Sequence, residues 1–160
     1  MRVAVFCLGV IISSVSGYCP SLEYTLTGET CIRALQLWTN DTIINLQPQS
    51  QRDCGLDGAS LPIIKNAEDN DFFNQVANNI DEIAGWNNYL MLGLVCNPWT
   101  HELRWQDGSA VDYTPGLNMN FDCTKYTAVS RTKFGDWKLV SVADTWSYTV
   151  FCVTDPKYIN

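Results

Sequence analysis

YLMLGLVCNPWTHELRWQDGS, residues 89 to 109, contains the two signals on which the fold assignment turns. Tyr89 to Val95 is an uninterrupted apolar run containing Gly93, suited to a central buried strand. Leu103 and Trp105 then precede Asp107-Gly108, a strong turn signal. Outward from this stretch, Gly108 to Cys123 reads as a loop containing Pro115 and Gly116. Cys123 to Val129, Trp137 to Val142 and Tyr148 to Val153 each read as short strands. On the other side the clearest helix begins at Asn66, a good N-cap with Asp69 three residues on and Glu68 in the first turn. Phe72, Phe73, Val76, Ala77 and Ile80 give it one apolar face, and Gly85 is its expected end. Ala59 to Ile64, with its proline, reads as an edge strand. Between Asn40 and Asp53, Gln and Asn dominate, and Ile43, Ile44 and Leu46 predict at most a short amphipathic helix. One or two helices followed by antiparallel strands is an α+β pattern.

The chain begins as a secretory signal peptide does. Arg2 supplies the charge, Val3 to Ile12 is apolar apart from Gly9, and Val15 and Gly17 are the small residues expected before a cleavage. This run is roughly half the length that a membrane span needs. The expected layout is therefore a signal peptide over residues 1–17 and one secreted, extracellular domain over 18–160, without a transmembrane anchor. Cys7 leaves with the signal, so six of the seven cysteines remain: Cys19, Cys31, Cys54, Cys96, Cys123 and Cys152. In a secreted chain an even set predicts three disulfides, in any of 15 pairings. No Cys-x-x-Cys pair occurs and His101 is the one histidine, which gives zinc little support. The net charge of −7 becomes −8 without Arg2, and the acids are scattered, which argues against nucleic acid as a partner. Asn40-Asp41-Thr42 makes Asn40 a candidate glycosylation site.

Catalytic chemistry finds few residues to use. His101 beside Glu102 offers a base, but a nucleophilic triad needs a serine or thiol with it, and the cysteines are expected to be oxidised. A glycoside hydrolase would need two carboxyl groups facing each other across a cleft. Glu68 and Asp69 are explained by the helix start, and the loop acids by solvation, so no enzyme is expected. Six tryptophans are many for this length. Trp99 and Trp146 fall in loops or between strands, where an exposed indole anchors a sugar face or a protein hot spot. The commoner fate, and the one expected, is to cover the core.

From Cys19 to Cys152 the residues resemble the C-type lectin-like family. Cys19-Pro20 and Cys31 look like the N-terminal hairpin of its long form. Cys54, Gly58-Ala59-Ser60-Leu61 and Asn66-Ala67-Glu68 resemble its cysteine, small-residue strand and second helix. Leu90-Met91-Leu92-Gly93-Leu94 is similar to its WIGL strand, departing at Leu90 and Met91. Trp105-Gln106-Asp107-Gly108-Ser109 with Tyr113 matches W-x-D-G-S and Tyr; Gly135-Asp136-Trp137 matches G-x-W, and Phe151-Cys152 its ending. The resemblance implies an α+β fold of two helices, a curved antiparallel sheet, a long loop region and three disulfides. It implies the bridges Cys19–Cys31 and Cys54–Cys152. The family's third bridge runs from the cysteine at Cys123 to one after the G-x-W. Lys138 to Ala143 contains none, and a bond from Cys123 to Cys96 is the implied departure.

Calcium-dependent sugar binding in that family needs a Glu-Pro-Asn or Gln-Pro-Asp triplet in the long loop and a Trp-Asn-Asp beyond it, because calcium takes six to eight oxygens. Here the loop reads Gly116-Leu117-Asn118-Met119-Asn120, and Lys138-Leu139 follows Trp137. No cofactor is therefore expected, and the standard calcium site is not supported. The expected function is recognition of an extracellular glycan or protein ligand through the loops from Asn97 to Asp122. Candidate ligand-binding residues are Trp99, Glu102, Asp107, Asp112, Asn118, Asn120, Asp122 and Trp146. The alternatives are a calcium-dependent lectin with a non-standard site among these acids, and a secreted carboxylate-pair glycoside hydrolase.

Overall fold

The structure, a computed structural model, describes residues 17–37, 43–84, 89–97, 99–118, 122, 126–131, 134–141 and 148–158. The N-terminal strands are β1 (Gly17–Tyr18), β2 (Thr25–Thr27) and β3 (Thr30–Leu37), followed by helices α1 (Ile43–Leu56) and α2 (Ala67–Ala84). Strands β4 (Tyr89–Met91), β5 (Leu94–Cys96), β6 (Leu103–Trp105), β7 (Tyr126–Arg131), β8 (Trp137–Ser141), β9 (Tyr148–Thr154) and β10 (Lys157–Tyr158) complete the chain. The main sheet has the order β2-β3-β9-β4-β7-β8, antiparallel except where β4 meets β9 in parallel. β5 and β6 form a separate hairpin, and β1 closes onto β10.

Strand β9 is the spine. Tyr148, Val150 and Cys152 face one core cluster with Cys54, Leu61 and Met91, while Phe151 faces another with Ile64, Phe73, Trp105 and Trp137. Burial on both faces explains why β9 reads as a continuous rather than alternating apolar run. One disulfide, Cys54–Cys152, ties it to α1, and a second, Cys19–Cys31, closes the N-terminal hairpin. Both are the implied pairings. Cys96 is also disulfide-bonded. Its expected partner Cys123 lies outside the described residues, as do Asn40 and Gly85.

Four sequence expectations change on the structure. The segment expected to hold at most a short helix holds α1, 14 residues long with Pro48 inside it. Its inward face is carried by polar or small residues. Ser50 and Cys54 are buried, and the Gln47 amide donates to the carbonyls of Leu92, at 2.8 Å, and Leu94. Positions 47, 50 and 54 share one helical face, and Cys54 is the one apolar residue of the three, too sparse a signal for a hydrophobic-periodicity scan.

The run Tyr89 to Val95 is not one strand. It breaks between β4 and β5, because its backbone bonds elsewhere: the Gly93 amide donates to the Pro62 carbonyl (2.9 Å), and the Gly93 carbonyl accepts from Gln106 (2.9 Å). The same bonds correct the reading of Ala59 to Ile64. Only Ser60 bridges to Val153, and the carbonyls of Leu61 and Pro62 serve Gln106 and Gly93 instead of a ladder. A β-carbon on Gly93 would lie 3.1 Å from the Pro62 carbonyl, so this close approach needs glycine. The fourth change is small: Asn66 caps α2 by accepting from the Asp69 amide (2.8 Å), but the Asp69 carboxylate takes the Lys65 amide (2.9 Å) rather than that of Asn66. Strand β7 begins at Tyr126 among the described residues, and residues 123–125 of the strand expected from Cys123 lie outside them.

Candidate functional site: the loop face and its tryptophans

The loop region stands on helix α2. Positions 70, 73, 74 and 77 share its inward face, and two of them, Asn70 and Asn74, are asparagines. Asn70 uses both ends of its amide: Oδ1 accepts from the Trp137 indole N–H (3.0 Å), and Nδ2 donates to the Gly135 carbonyl (2.9 Å). Gly135 has φ +74°, and a β-carbon there would meet Asn74 Nδ2 at 2.8 Å and Asn70 Nδ2 at 3.0 Å. Trp137 carries the loop above. Its amide donates to the Pro115 carbonyl (2.8 Å), and its ring meets those of Trp105 and Tyr113 edge to face at 5.8 Å. Burial raises the pKa of the Tyr113 hydroxyl, and Asp71 and Asp136 raise it further. Leu117 packs down onto the same core. The loop from Tyr113 to Asn118 is thus seated on a built polar and aromatic platform.

The β5–β6 hairpin is the second half. Leu94 opposes Trp105, Val95 opposes Arg104 and Cys96 opposes Leu103. The connecting loop is organised by Asn97. Its side-chain oxygen accepts from the amides of Trp99 (2.9 Å) and Thr100 (3.3 Å). Its carbonyl accepts from His101 (2.8 Å), and its amide donates to Glu102 (2.9 Å). His101 is left-handed, with φ 56°, a conformation that a non-glycine residue takes at some cost. The product of this loop is Trp99 at 89% exposure. The exposure overturns the expectation that Trp99 covers the core.

The other candidates separate by role. Glu102 is exposed and pairs with Arg104 at 3.5 Å. Asp107 accepts from the Ser109 amide (2.8 Å) within the turn closed by Gly108 to Trp105, and Lys65 stands 3.5 Å from its other oxygen. Hydrogen bonding from Ser109, helped by Lys65, lowers its pKa below the usual carboxylate value. Its chemistry is that of a turn. Asp112 and Asn118 are exposed on the long loop, and Asp122 is half-buried. Asn120 and Trp146 lie outside the described residues. Sequence reasoning passed over Val95 and Arg104, the exposed pair of the hairpin, and over Asn70. A polar residue at a core-facing position of an otherwise apolar helix face was the available signal for Asn70.

The residues do not fit the calcium site that the fold implies. Leu117 is drawn into the core. Lys138, where an oxygen ligand would stand, donates to the Tyr89 hydroxyl (3.1 Å) and lies over its ring at 5.2 Å. Among the described residues no three His, Cys, Asp or Glu side chains converge as a metal would need. No helix there is long and apolar enough to cross a membrane.

The Lectin C-type domain family model matches residues 46–154. The chain belongs to the C-type lectin domain family. No curated protein matches the sequence. Among solved structures, this C-type lectin domain is similar to the C-type lectin CEL-I from Cucumaria echinata, at 19% identity and TM-score 0.61 over 83% of this chain and 95% of that one. A calcium-independent type II antifreeze protein is similar at 15% identity and TM-score 0.62, over 89% and 98%. The SPL-1–GlcNAc complex is similar at 17% identity and TM-score 0.59, over 84% and 93%. At these identities the likeness is one of fold. Function has to be argued from the site.

Proposed function

We propose that this C-type lectin domain is a secreted, non-enzymatic recognition module that binds an extracellular glycan or protein ligand through its loop face, without the standard calcium site. One observation carries the reading: Trp99 is displayed at 89% exposure by a turn whose backbone bonds converge on Asn97. Leaving an indole in water forgoes a large burial gain, about 2 kcal/mol or more for a side chain of that size. With the backbone of its turn already bonded, an exposed tryptophan has mainly the rotamer freedom of its indole to lose on binding. Leu117 and Lys138 at the calcium positions support the calcium-independent form. Two disulfides and a fifth bonded cysteine, Cys96, suit an oxidising, extracellular setting.

The test is binding of the purified secreted chain to a glycan array and to candidate protein ligands, with calcium and with chelator. Binding that survives chelation and falls in Trp99→Ala is the expected result. Binding abolished by chelation would replace this reading with a calcium-dependent lectin using a non-standard site. The N-terminal sequence of the secreted product should begin at Tyr18.

A further inference from the structure

A second concavity lies apart from the Asn97 loop and from residues 113–118, none of which lines it. It is a crevice of ≈ 690 Å³ where the start of α2, the end of β9 and the turn after β6 meet. That volume falls within the roughly 300–1,000 Å³ of sites that hold a ligand. Ile63, Phe72 and Val153 give it an apolar lining. Each is half-buried, with one side packed on the core cluster around Phe73 and Phe151. Three carboxylates stand around them: Asp69 on α2, Asp107 in the turn and Asp155 just beyond β9. Against these the lining sets one cation, Lys65, whose ammonium is 3.5 Å from Asp107 Oδ2. Both partners of that pair are about half exposed, so water screens it and a competing cation can displace it.

Charge selects the ligand. Three carboxylates against one ammonium repel anions, although Lys65 and the helix start would otherwise attract one. Among the described residues no three acids converge as a single metal ion would need. The crevice therefore suits cationic groups held apart on one molecule, with something apolar between them. Arginine meets both demands. Its guanidinium grips a carboxylate with two parallel bonds and stacks on an aromatic ring such as that of Phe72. Thr30, Ser60 and Thr154 add hydroxyls to the lining. Hydroxyls both donate and accept, as the N–H and C=O groups of a peptide backbone require. A protonated polyamine offers donors alone. We infer that this crevice docks a basic segment of a protein partner, an apolar residue between two arginines, at a site independent of the loop face.

The experiment titrates the full secreted chain with a capped peptide carrying one leucine between two arginines, followed by calorimetry. Spermine and a peptide with glutamate in place of arginine are the comparison ligands. The arginine peptide should bind, and more weakly as salt rises, while the glutamate peptide should not bind. Asp155→Lys turns an attraction into a repulsion and should weaken binding at least about tenfold. Phe72→Leu keeps an apolar side chain without the ring and should weaken it several-fold. Lys65→Gln should tighten it several-fold, because Asp107 loses its competitor while the backbone amide at 65 still reaches Asp69. Glu82→Gln removes an exposed acid about 20 Å along α2 from Asp69 and should leave binding unchanged. A cooperative melting transition shows that each variant is folded. Three results would each overturn the inference: no binding of the arginine peptide, binding unmoved by Asp155→Lys in the folded chain, or spermine bound as tightly as the peptide.

Discussion

Trp137 and Trp99 belong to the same loop-bearing side of the domain and meet opposite fates. Trp137 is 3% exposed: its indole N–H rests on Asn70, its amide on Pro115, and its ring on Trp105 and Tyr113. Trp99 is held by its backbone alone, with its ring in solvent. The side chain is identical, so the difference lies in what each turn supplies. The turn at Gly135 delivers Trp137 onto a prepared acceptor, whereas the turn at Asn97 satisfies its own backbone groups and leaves the indole out. Trp137 is built into the core beneath the loops, and Trp99 stands exposed on the hairpin loop.

The harshest way to break that contrast is Gly135→Ala. The added carbon would strain a backbone at φ +74° and press on Asn74 and Asn70, whose amides cannot retreat into the packed face of α2. The expected loss is about 3 kcal/mol, read as a lower urea midpoint at unchanged slope. A shift below about 0.5 kcal/mol would mean that the platform yields easily and that Trp137 is not held as described. Trp137→Phe is milder. It keeps an aromatic ring but leaves Asn70 Oδ1 buried without its donor, which costs about 2 kcal/mol. It should also speed amide exchange in residues 113–118, because the ring beneath them becomes smaller. Protection there equal to wild type would show that the loop does not depend on Trp137.

How far these regions could be read in advance differs for physical reasons. The N-cap at Asn66, the Asp107-Gly108 turn, strands β8 and β9 and the motif order were legible, because each rests on local chemistry or on apolar runs. The length of α1 was not, since its inward face is made of Gln47, Ser50 and Cys54 and its stability comes from tertiary bonds and a disulfide. The break at Gly93 was hidden for a similar reason: composition marks Tyr89 to Val95 as strand, and only the distant partners Pro62, Gln106 and Gln47 divert its backbone. At the candidate site, residue types were legible and orientation was not. Trp99 was expected to cover the core because most indoles do. Its exposure follows from the Asn97 bonds and the left-handed His101, which no periodicity encodes. Asp107 was a candidate on composition and proved to be part of a turn.

That turn gives the next, smaller test. The folded state lowers the Asp107 pKa from its usual 3.8. Its contribution is therefore fully present above pH 3.8 and is lost as pH falls through the lower folded value. Asp107→Asn should accordingly leave stability near neutrality little changed and flatten the acid limb of a melting-temperature profile below about pH 4. A steeper acid limb in the variant would reverse the assigned sign. The turn shares Trp105 with the core beneath Trp137, so the loss should also loosen the approach to Tyr113.

The smallest expected effect is the sharpest discriminator. Trp99→Ala removes the largest exposed side chain on the hairpin, and the contrast with Trp137 requires the fold not to notice. An 89% exposed ring has almost no buried area to lose, and the Asn97 bonds to the amides of residues 99, 100 and 101 survive any side chain at 99. The unfolding free energy should stay within about 0.5 kcal/mol of wild type, even though the same truncation of a buried tryptophan costs about 3–5 kcal/mol. If Trp99→Ala instead destabilises by more than about 1 kcal/mol, the ring packs against the domain in solution and the hairpin is part of the core. If stability holds while ligand binding collapses, the two tryptophans divide the work of the loop region, one fixing its shape and the other meeting the ligand.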